Sequence, residues 1–412
     1  IQYTSLISTI SEAGVMDNVS STYVTNANGV QFNTRSSDTN GKGLYIRSGT
    51  ENDTYPIYYY RGAVDNNNVL FANYCWKIVR TTSTGGTKLI YSGTPTGTNN
   101  NECTNTTTAT TQLASTSKFN NNDTSPADVG YMYGTRYTCG WKSSSNLATS
   151  YLYGNSFTYS NGSYTLTDTI SSTGTWSSDY NTLNSNHYTC FNMTGTCKSI
   201  YYIYSTTSGY VYYITLTSGK SVSDALLEML TNSSNTTDST IKTTIDTWYA
   251  ANMTNYTSKL EDTPWCNDRS IYQLNGWEPN GGDTTKSLYF GSYERVFSTY
   301  NPSLTCNTND AFTVSNNIGN GKLTYPVGLL TADEMTLSGV SGYLNANLSG
   351  SSDYWWSMSP SGIDPSIFAF QDYMIRDWSV SYGFRVRPVV SLKAGTKFSG
   401  GTGIATDPYV VE

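Results

Sequence analysis

Charge is the first thing this chain lacks. Only 13% of its 412 residues are Asp, Glu, Lys or Arg, about half the usual roughly 25%. Lys and Arg number 23 against 30 Asp and Glu, for a net charge of −7. The basic footprint of a nucleic-acid binder is therefore missing. Histidine is almost absent: the one copy is His187, inside the polar SNHYTC. With one histidine and no Cys-x-x-Cys pair, a zinc site is not expected. A serine hydrolase would need that base and a G-x-S-x-G elbow, and no elbow occurs. No stretch approaches the roughly 18 apolar residues of a membrane helix, so no membrane span is expected in the mature chain.

Ser, Thr, Asn and Tyr stand where charge would be. Disorder does not follow, because disordered segments are poor in aromatic and β-branched residues. This chain is 14% aromatic, with 36 Tyr, whose rings can be buried while the hydroxyls stay wet. Short strands with half-buried faces and long polar loops fit that composition. The first residue is Ile, which leads to the expectation that a secretory signal precedes it and is removed.

The seven cysteines are Cys75, Cys103, Cys139, Cys190, Cys197, Cys266 and Cys306. Cys190 and Cys197 bracket the short loop FNMTGT and form a candidate hairpin staple. Cys266 with Cys306 and Cys103 with Cys139 are the next candidates, which leaves Cys75 as a buried free thiol. Connectivity is not fixed by spacing. Such a framework implies an extracellular compartment or cell surface.

Residues 1–40 read as an N-terminal arm. Its apolar positions Leu6, Ile7, Ile10, Val15, Val24, Val30 and Phe32 are too few to fold alone. They suffice to fill a groove or add a strand to a neighbour's sheet edge, or equally to pack on the chain's own body, and the first of them suit a short helix. A strand-rich block follows, with GLYIRS, the segment 55–62, one long run at 69–80 and, past the turn Ser83–Gly86, a strand at 87–91. Residues 93–220 read as a disulfide-stapled, polar, β-rich insertion that ends in a hairpin of 200–204 and 210–216. A helix burying Ala225, Leu226, Met229 and Leu230 is expected next. A second begins at Ser239 with Ile241, Ile245, Trp248 and Tyr249 on one side. Thr331-Ala-Asp-Glu334 is a capping box for a third. Strands at 354–358, 367–370 and 383–392 close the chain. The fold class is thus α+β and strand-rich, with a body of 41–92 plus 221–412.

Those late elements carry a resemblance. GLLTADEM (328–335), YWWSMSPS (354–361) and GFRVRPVV (383–390) resemble the C-type lectin-like fold, in the branch of formylglycine-generating enzymes and bacterial variable surface proteins. YYYRGAVDNNNVLFANYCWKIVR (58–80), TWYAANMTNY (247–256) and WCNDRS (265–270) are similar to secreted surface proteins of Gram-positive gut bacteria. The resemblance implies a lectin-like body and not an activity. The enzymes of that branch hold a reactive cysteine pair near the closing strands, where 354–392 has none. Sugar-binding C-type lectins hold calcium through a Glu-Pro-Asn loop, and Glu278-Pro279-Asn280 occurs. The downstream Trp-Asn-Asp partner is missing, which leaves too few oxygens for the 6–8 that calcium takes, so no cofactor is expected.

A glycosidase needs only two carboxylates, and Glu228, Glu261, Glu278, Glu294 and Glu334 are present, but Glu334 is explained by its cap. Trp355 and Trp356, with Glu278 and Asn280, make a candidate ligand face. Strand alternation puts at least one of the two rings in the core. N-x-S/T acceptors such as Asn105, Asn122 and Asn252 recur, each reading as exposed loop in a glycoprotein. No catalytic set emerges, so no enzyme is expected. The expected function is an extracellular structural or adhesive protein, a self-assembling, head-to-tail subunit of a pilus-like filament or surface layer. The alternative is a monomeric lectin-like adhesin for host or environmental glycans.

Overall fold

A computed structural model describes residues 57–105, 112–140, 235–274, 287–339 and 353–411 almost throughout. Ala114, Thr124, Asp364, Asp372 and Tyr373 fall outside it. Shorter pieces are described at 4–5, 32, 43–47, 157–160, 163–166, 175–177, 189–192, 200–204, 211–215, 220–221 and 228. Strands dominate, in several sheets, and helices are few.

The largest sheet has ten strands and is built on the meander Asn68–Phe71, Tyr74–Thr81, Thr87–Tyr91. Every residue of Thr87–Tyr91 is buried, as expected of a strand covered on both faces. The run at 69–80 is not one strand. It folds at Ala72–Asn73, whose φ values are +52° and +62°, into a hairpin that pairs Phe71 with Tyr74. Positive φ at both central positions matches the strand twist; lacking glycine, this turn resembles continuous strand in sequence.

The closing segment 383–392 also splits, at Pro388, which has no amide hydrogen for a ladder. Gly383–Arg385 joins a seven-stranded sheet, beside Thr116–Lys118 and Trp355–Gly362. Val389–Leu392 crosses to the ten-stranded sheet, beside Thr87–Tyr91. One buried cluster draws on both sheets.

The boundary expected at 93 is corrected. Thr116–Lys118 pairs with the closing segment, Met132–Tyr133 pairs with Thr237–Asp238, and Phe119, Val129 and Tyr131 are core residues. Residues 112–136 thus belong to the body. Their Ser, Thr and Asn hid three well-spaced apolar anchors. Beyond them, Ile200–Tyr204 and Val211–Thr215 form the expected hairpin.

Ser239 caps the helix Thr240–Asn252, its side chain accepting from the Lys242 amide, and Ile241, Ile245 and Tyr249 are buried. Trp248 is only half buried, against Tyr74, Trp76 and Tyr91. Thr331 and Glu334 cap the helix Ala332–Leu337 reciprocally. Of the helix expected to bury Ala225, Leu226, Met229 and Leu230, only a helical Glu228 lies within the described residues, while Ser221, at its expected start, pairs as strand with Thr189.

Two disulfides are present among the described residues, Cys75–Cys103 and Cys266–Cys306. The first corrects two expectations: Cys75 is not a free thiol, and Cys103 is not bonded to Cys139. After Tyr91 the chain doubles back, with Ser92 donating to the Cys75 carbonyl and Thr96 bridging to Glu102, which returns Cys103 to the strand it left. Cys139 instead stands opposite Cys190 in the register of 137–140 with 189–192. Cys197, the expected partner of Cys190, lies outside the described residues.

Among the described residues, the N-terminal arm touches its own body through Thr4–Ser5 and Phe32. Thr4–Ser5 adds a strand to the sheet edge, with Thr4 opposite Phe398 and Ser5 opposite Lys397. Phe32 is buried, with the Arg61 guanidinium 5.2 Å from its ring centre. Leu6, Ile7, Ile10, Val15, Val24 and Val30 lie outside the described residues.

Candidate functional site

Part of this chain's scarce charge is buried inside it. Glu334 Oε1 accepts from Arg80 Nε at 2.7 Å and from Lys88 Nζ at 2.8 Å, and all three side chains are at most 4% exposed. Lys88 also lies 4.8 Å from the Trp265 ring centre. Next along the helix, Asp333 takes Arg295 through two bonds of 2.7 and 2.9 Å and accepts the Ser303 amide. Arg295 reaches Asp268 at 2.6 Å with its remaining nitrogen. Burial alone would raise the Glu334 carboxyl, but Lys88 and Arg80 outweigh it and hold it at about 2. The space enclosed here is about 20 Å³, room for about one water. A carboxylate held this firmly ionised makes a poor proton donor near neutral pH. What the cluster does is fasten the helix Ala332–Leu337 to two strands and to the turn carrying Arg295.

The second arrangement is at the surface. Tyr354 precedes the strand Trp355–Gly362, Trp378 lies in Met374–Ser379, Tyr382 sits in the following turn, and Phe384 lies in Gly383–Arg385. Their ring centres form a close set: Tyr354–Trp378 5.3 Å, Trp378–Tyr382 5.1 Å, Trp378–Phe384 5.5 Å, Tyr354–Phe384 5.1 Å. Tyr382 is 51% exposed, an unusual value for so large a ring; the other three are half buried. Arg385 pairs with Asp353 at 3.2 Å. Tyr354, Phe384, Asp353 and Arg385, with Thr116, Gln371 and Gly383, line an open cleft of about 300 Å³, and Trp378 and Tyr382 stand behind its two rings rather than in its lining.

A larger open groove of about 860 Å³ runs along the helix Thr240–Asn252, past Asn121, Tyr133 and Trp248. It offers fewer directed groups, because Thr243, Thr244 and Thr247 turn their hydroxyl hydrogens back onto carbonyls one turn earlier.

Trp355 and Trp356 are both fully buried, where strand alternation placed at least one of them, so neither ring offers a surface ligand face. Every residue of Trp355–Gly362 is buried, so alternation along it leads from one covered face to another. Trp356 donates to the Ser117 carbonyl at 2.8 Å, and Trp355 packs on Phe370 with Arg387 5.0 Å from its ring centre. Glu278, Asn280 and His187 lie outside the described residues. Among the described residues, no group of three or more His, Cys, Asp or Glu converges as for a metal. The surface rings were missed because Tyr354, Trp378, Tyr382 and Phe384 are scattered over three elements. One signal was available, the Tyr beside the buried Trp pair.

Neither family models nor curated proteins nor solved structures match this chain.

Proposed function

We propose that this chain is an extracellular structural or adhesive protein, a self-assembling subunit of a bacterial cell-surface filament or layer built on a C-type lectin-like body. Two disulfides fit an oxidising compartment. No helix among the described residues is long and apolar enough to cross a membrane. The observation that carries the reading is the strand Thr4–Ser5 laid on the edge strand Lys397–Gly400. Strand addition works through main-chain hydrogen bonds, and these are blind to which copy of the chain supplies the arm. An arm given to a neighbour makes a head-to-tail contact that propagates when it does not close into a ring. A second reading, a lectin-like adhesin acting as a monomer, is favoured by the half-exposed rings around Trp378. Electron microscopy of the purified protein separates the two. Fibres or sheets are expected, and a uniformly monomeric sample at high concentration overturns assembly.

A further inference from the structure

We propose that Cys139 and Cys190, which face each other across two paired strands, form a third disulfide that closes the neck of the insertion. This rests on the extracellular reading, because an oxidising compartment must supply the oxidant. The neck is a sheet of three short strands. Tyr137–Gly140 carries the chain out of the body, Lys220–Ser221 brings it back, and Thr189–Asn192 lies between them, paired with both. On the body side, Arg136 grips the fully buried Asp128 through two bonds of 2.6 and 2.7 Å, and Met132–Tyr133 pairs with Thr237–Asp238. The outgoing strand therefore starts from a fixed point just before Cys139.

Register selects the partner. Thr189 stands opposite Gly140, Cys190 opposite Cys139 and Phe191 opposite Thr138. Residues directly opposite in an antiparallel pair share a face, with Cα atoms about 4.5–5.5 Å apart. Disulfides span Cα separations of about 4.4–6.8 Å, so the bond needs no movement of the backbone. Cys75, Cys103, Cys266 and Cys306 are already bonded among themselves, which leaves Cys197 as the one competitor. Joining Cys190 to Cys197 means closing the loop FNMTGT at a cost in chain entropy, whereas the ladder has already set Cys139 opposite Cys190.

The step balances by thiol–disulfide exchange. One cysteine thiolate attacks the disulfide of an oxidoreductase or of a small-molecule disulfide, and the second displaces it from the mixed disulfide. A pair of protons and a pair of electrons leave the chain, and the oxidant departs as its dithiol or as free thiols. The bond encloses 141–188 in a covalent loop that holds the hairpin Phe157–Ser160 with Ser163–Leu166 and the strand Thr175–Ser177. It reinforces a weak point, because the neck strands have only four, four and two residues and so few ladder bonds. With the bond in place, opening of the insertion stops at the neck and does not pull on the body.

The test cuts the loop and asks whether the two pieces stay together. A site-specific protease sequence is inserted between Asn161 and Gly162 of the full chain, cut under oxidising conditions, and the product is run denatured without reductant. Neither Cys75–Cys103 nor Cys266–Cys306 crosses the cut. A single band of full mass is expected until a thiol reductant splits it, and Cys139→Ser should come apart without one. Peptide mapping of the unaltered chain then identifies the partner. Trypsin alone leaves Cys190 and Cys197 in one peptide, 143–198, so chymotrypsin is added to cut after Phe191. Cys139 joined to Cys190 is expected. The proposal is overturned if the cut chain separates without reductant, or if the map joins Cys197 to either cysteine. A free Cys139 beside intact Cys75–Cys103 and Cys266–Cys306 sinks this bond alone, and seven free thiols in protein from its native source sink the extracellular reading with it.

Discussion

Glu334→Gln is the sharpest perturbation the fold allows. Glutamine keeps the volume and an oxygen for the cap, in which Oε2 accepts the Thr331 amide at 3.0 Å. The charge goes, and with it the second acceptor, because the amide NH2 in its place donates and cannot accept from Arg80 or Lys88. Arg80 and Lys88 then remain buried without the carboxylate they share at 2.7 and 2.8 Å. Removing one partner of a buried ion pair costs about 3–5 kcal/mol, because the surviving charge stays desolvated. The titration leads to a similar figure. A carboxyl moved from 4.5 to about 2, at about 1.4 kcal/mol for each pH unit, corresponds to about 3 kcal/mol. The sign follows from the depressed value: this stability is fully present above about 4.5 and is lost as pH falls through about 2. Urea unfolding followed by tryptophan fluorescence should show the variant less stable by about 3 kcal/mol at pH 7, and the two proteins converging as pH falls toward 2. A difference under about 1 kcal/mol at pH 7, or one unchanged between pH 5 and pH 2, would refute the argument.

Asp310 should behave in the opposite sense, since burial pushes its carboxyl up to about 6 against the pull of Arg269. Its stabilising share is largest below about 3.8 and is lost as pH rises through about 6, so Asp310→Asn should gain on the wild type by about 2–3 kcal/mol between pH 4 and pH 7; a constant gap across that range would contradict it. Non-reducing peptide mapping should recover Cys75 joined to Cys103, and opening this closure of sequence separation 28 by a double Cys→Ser change should cost about 3.5 kcal/mol in the chain-entropy account. A Cys103–Cys139 peptide would overturn the assignment. Ser5→Cys with Lys397→Cys sets two thiols opposite each other across the edge pairing. On oxidation and non-reducing electrophoresis, ladders of covalent multimers are expected if the arm is shared between copies, and cross-linked monomer alone would mean that it serves only its own body.

What could be read in the sequence was what depends on a few neighbouring residues. Ser239 and Thr331 announce their helices because a capping oxygen must precede the amides it satisfies, within one turn. The same locality explains the failures. Ala72–Asn73 forms its turn with two positive φ values, yet without glycine the pair looks like more strand. Phe119, Val129 and Tyr131 reach the core through a stretch whose average composition is that of a loop. Cys75 finds Cys103 only because the chain doubles back after Tyr91, a path that spacing alone does not encode. Trp355 and Trp356 were correctly noticed as unusual, but alternation presumes a strand with one wet face, and theirs has none.

The capping box shows most plainly how a correct local reading can hide a larger role. Glu334 was accounted for by one oxygen, Oε2, on the Thr331 amide, and a residue with an explanation attracts no second one. Its other oxygen accepts from Arg80 and Lys88, 254 and 246 residues away in sequence. Those partners come from adjacent strands, so the contact exists only once the meander has formed and the helix has docked. A chain with this little charge gains from such placement. Arg80 and Lys88 meet their shared anion only in the native arrangement, and a slipped strand or misdocked helix would strand those charges in an apolar interior. On its hydroxyl-rich exterior, by contrast, few charges would keep copies of the chain apart. The composition that first excluded nucleic acid thus bears on specificity inside the fold and on association outside it, and Glu334 is where the first of these can be measured.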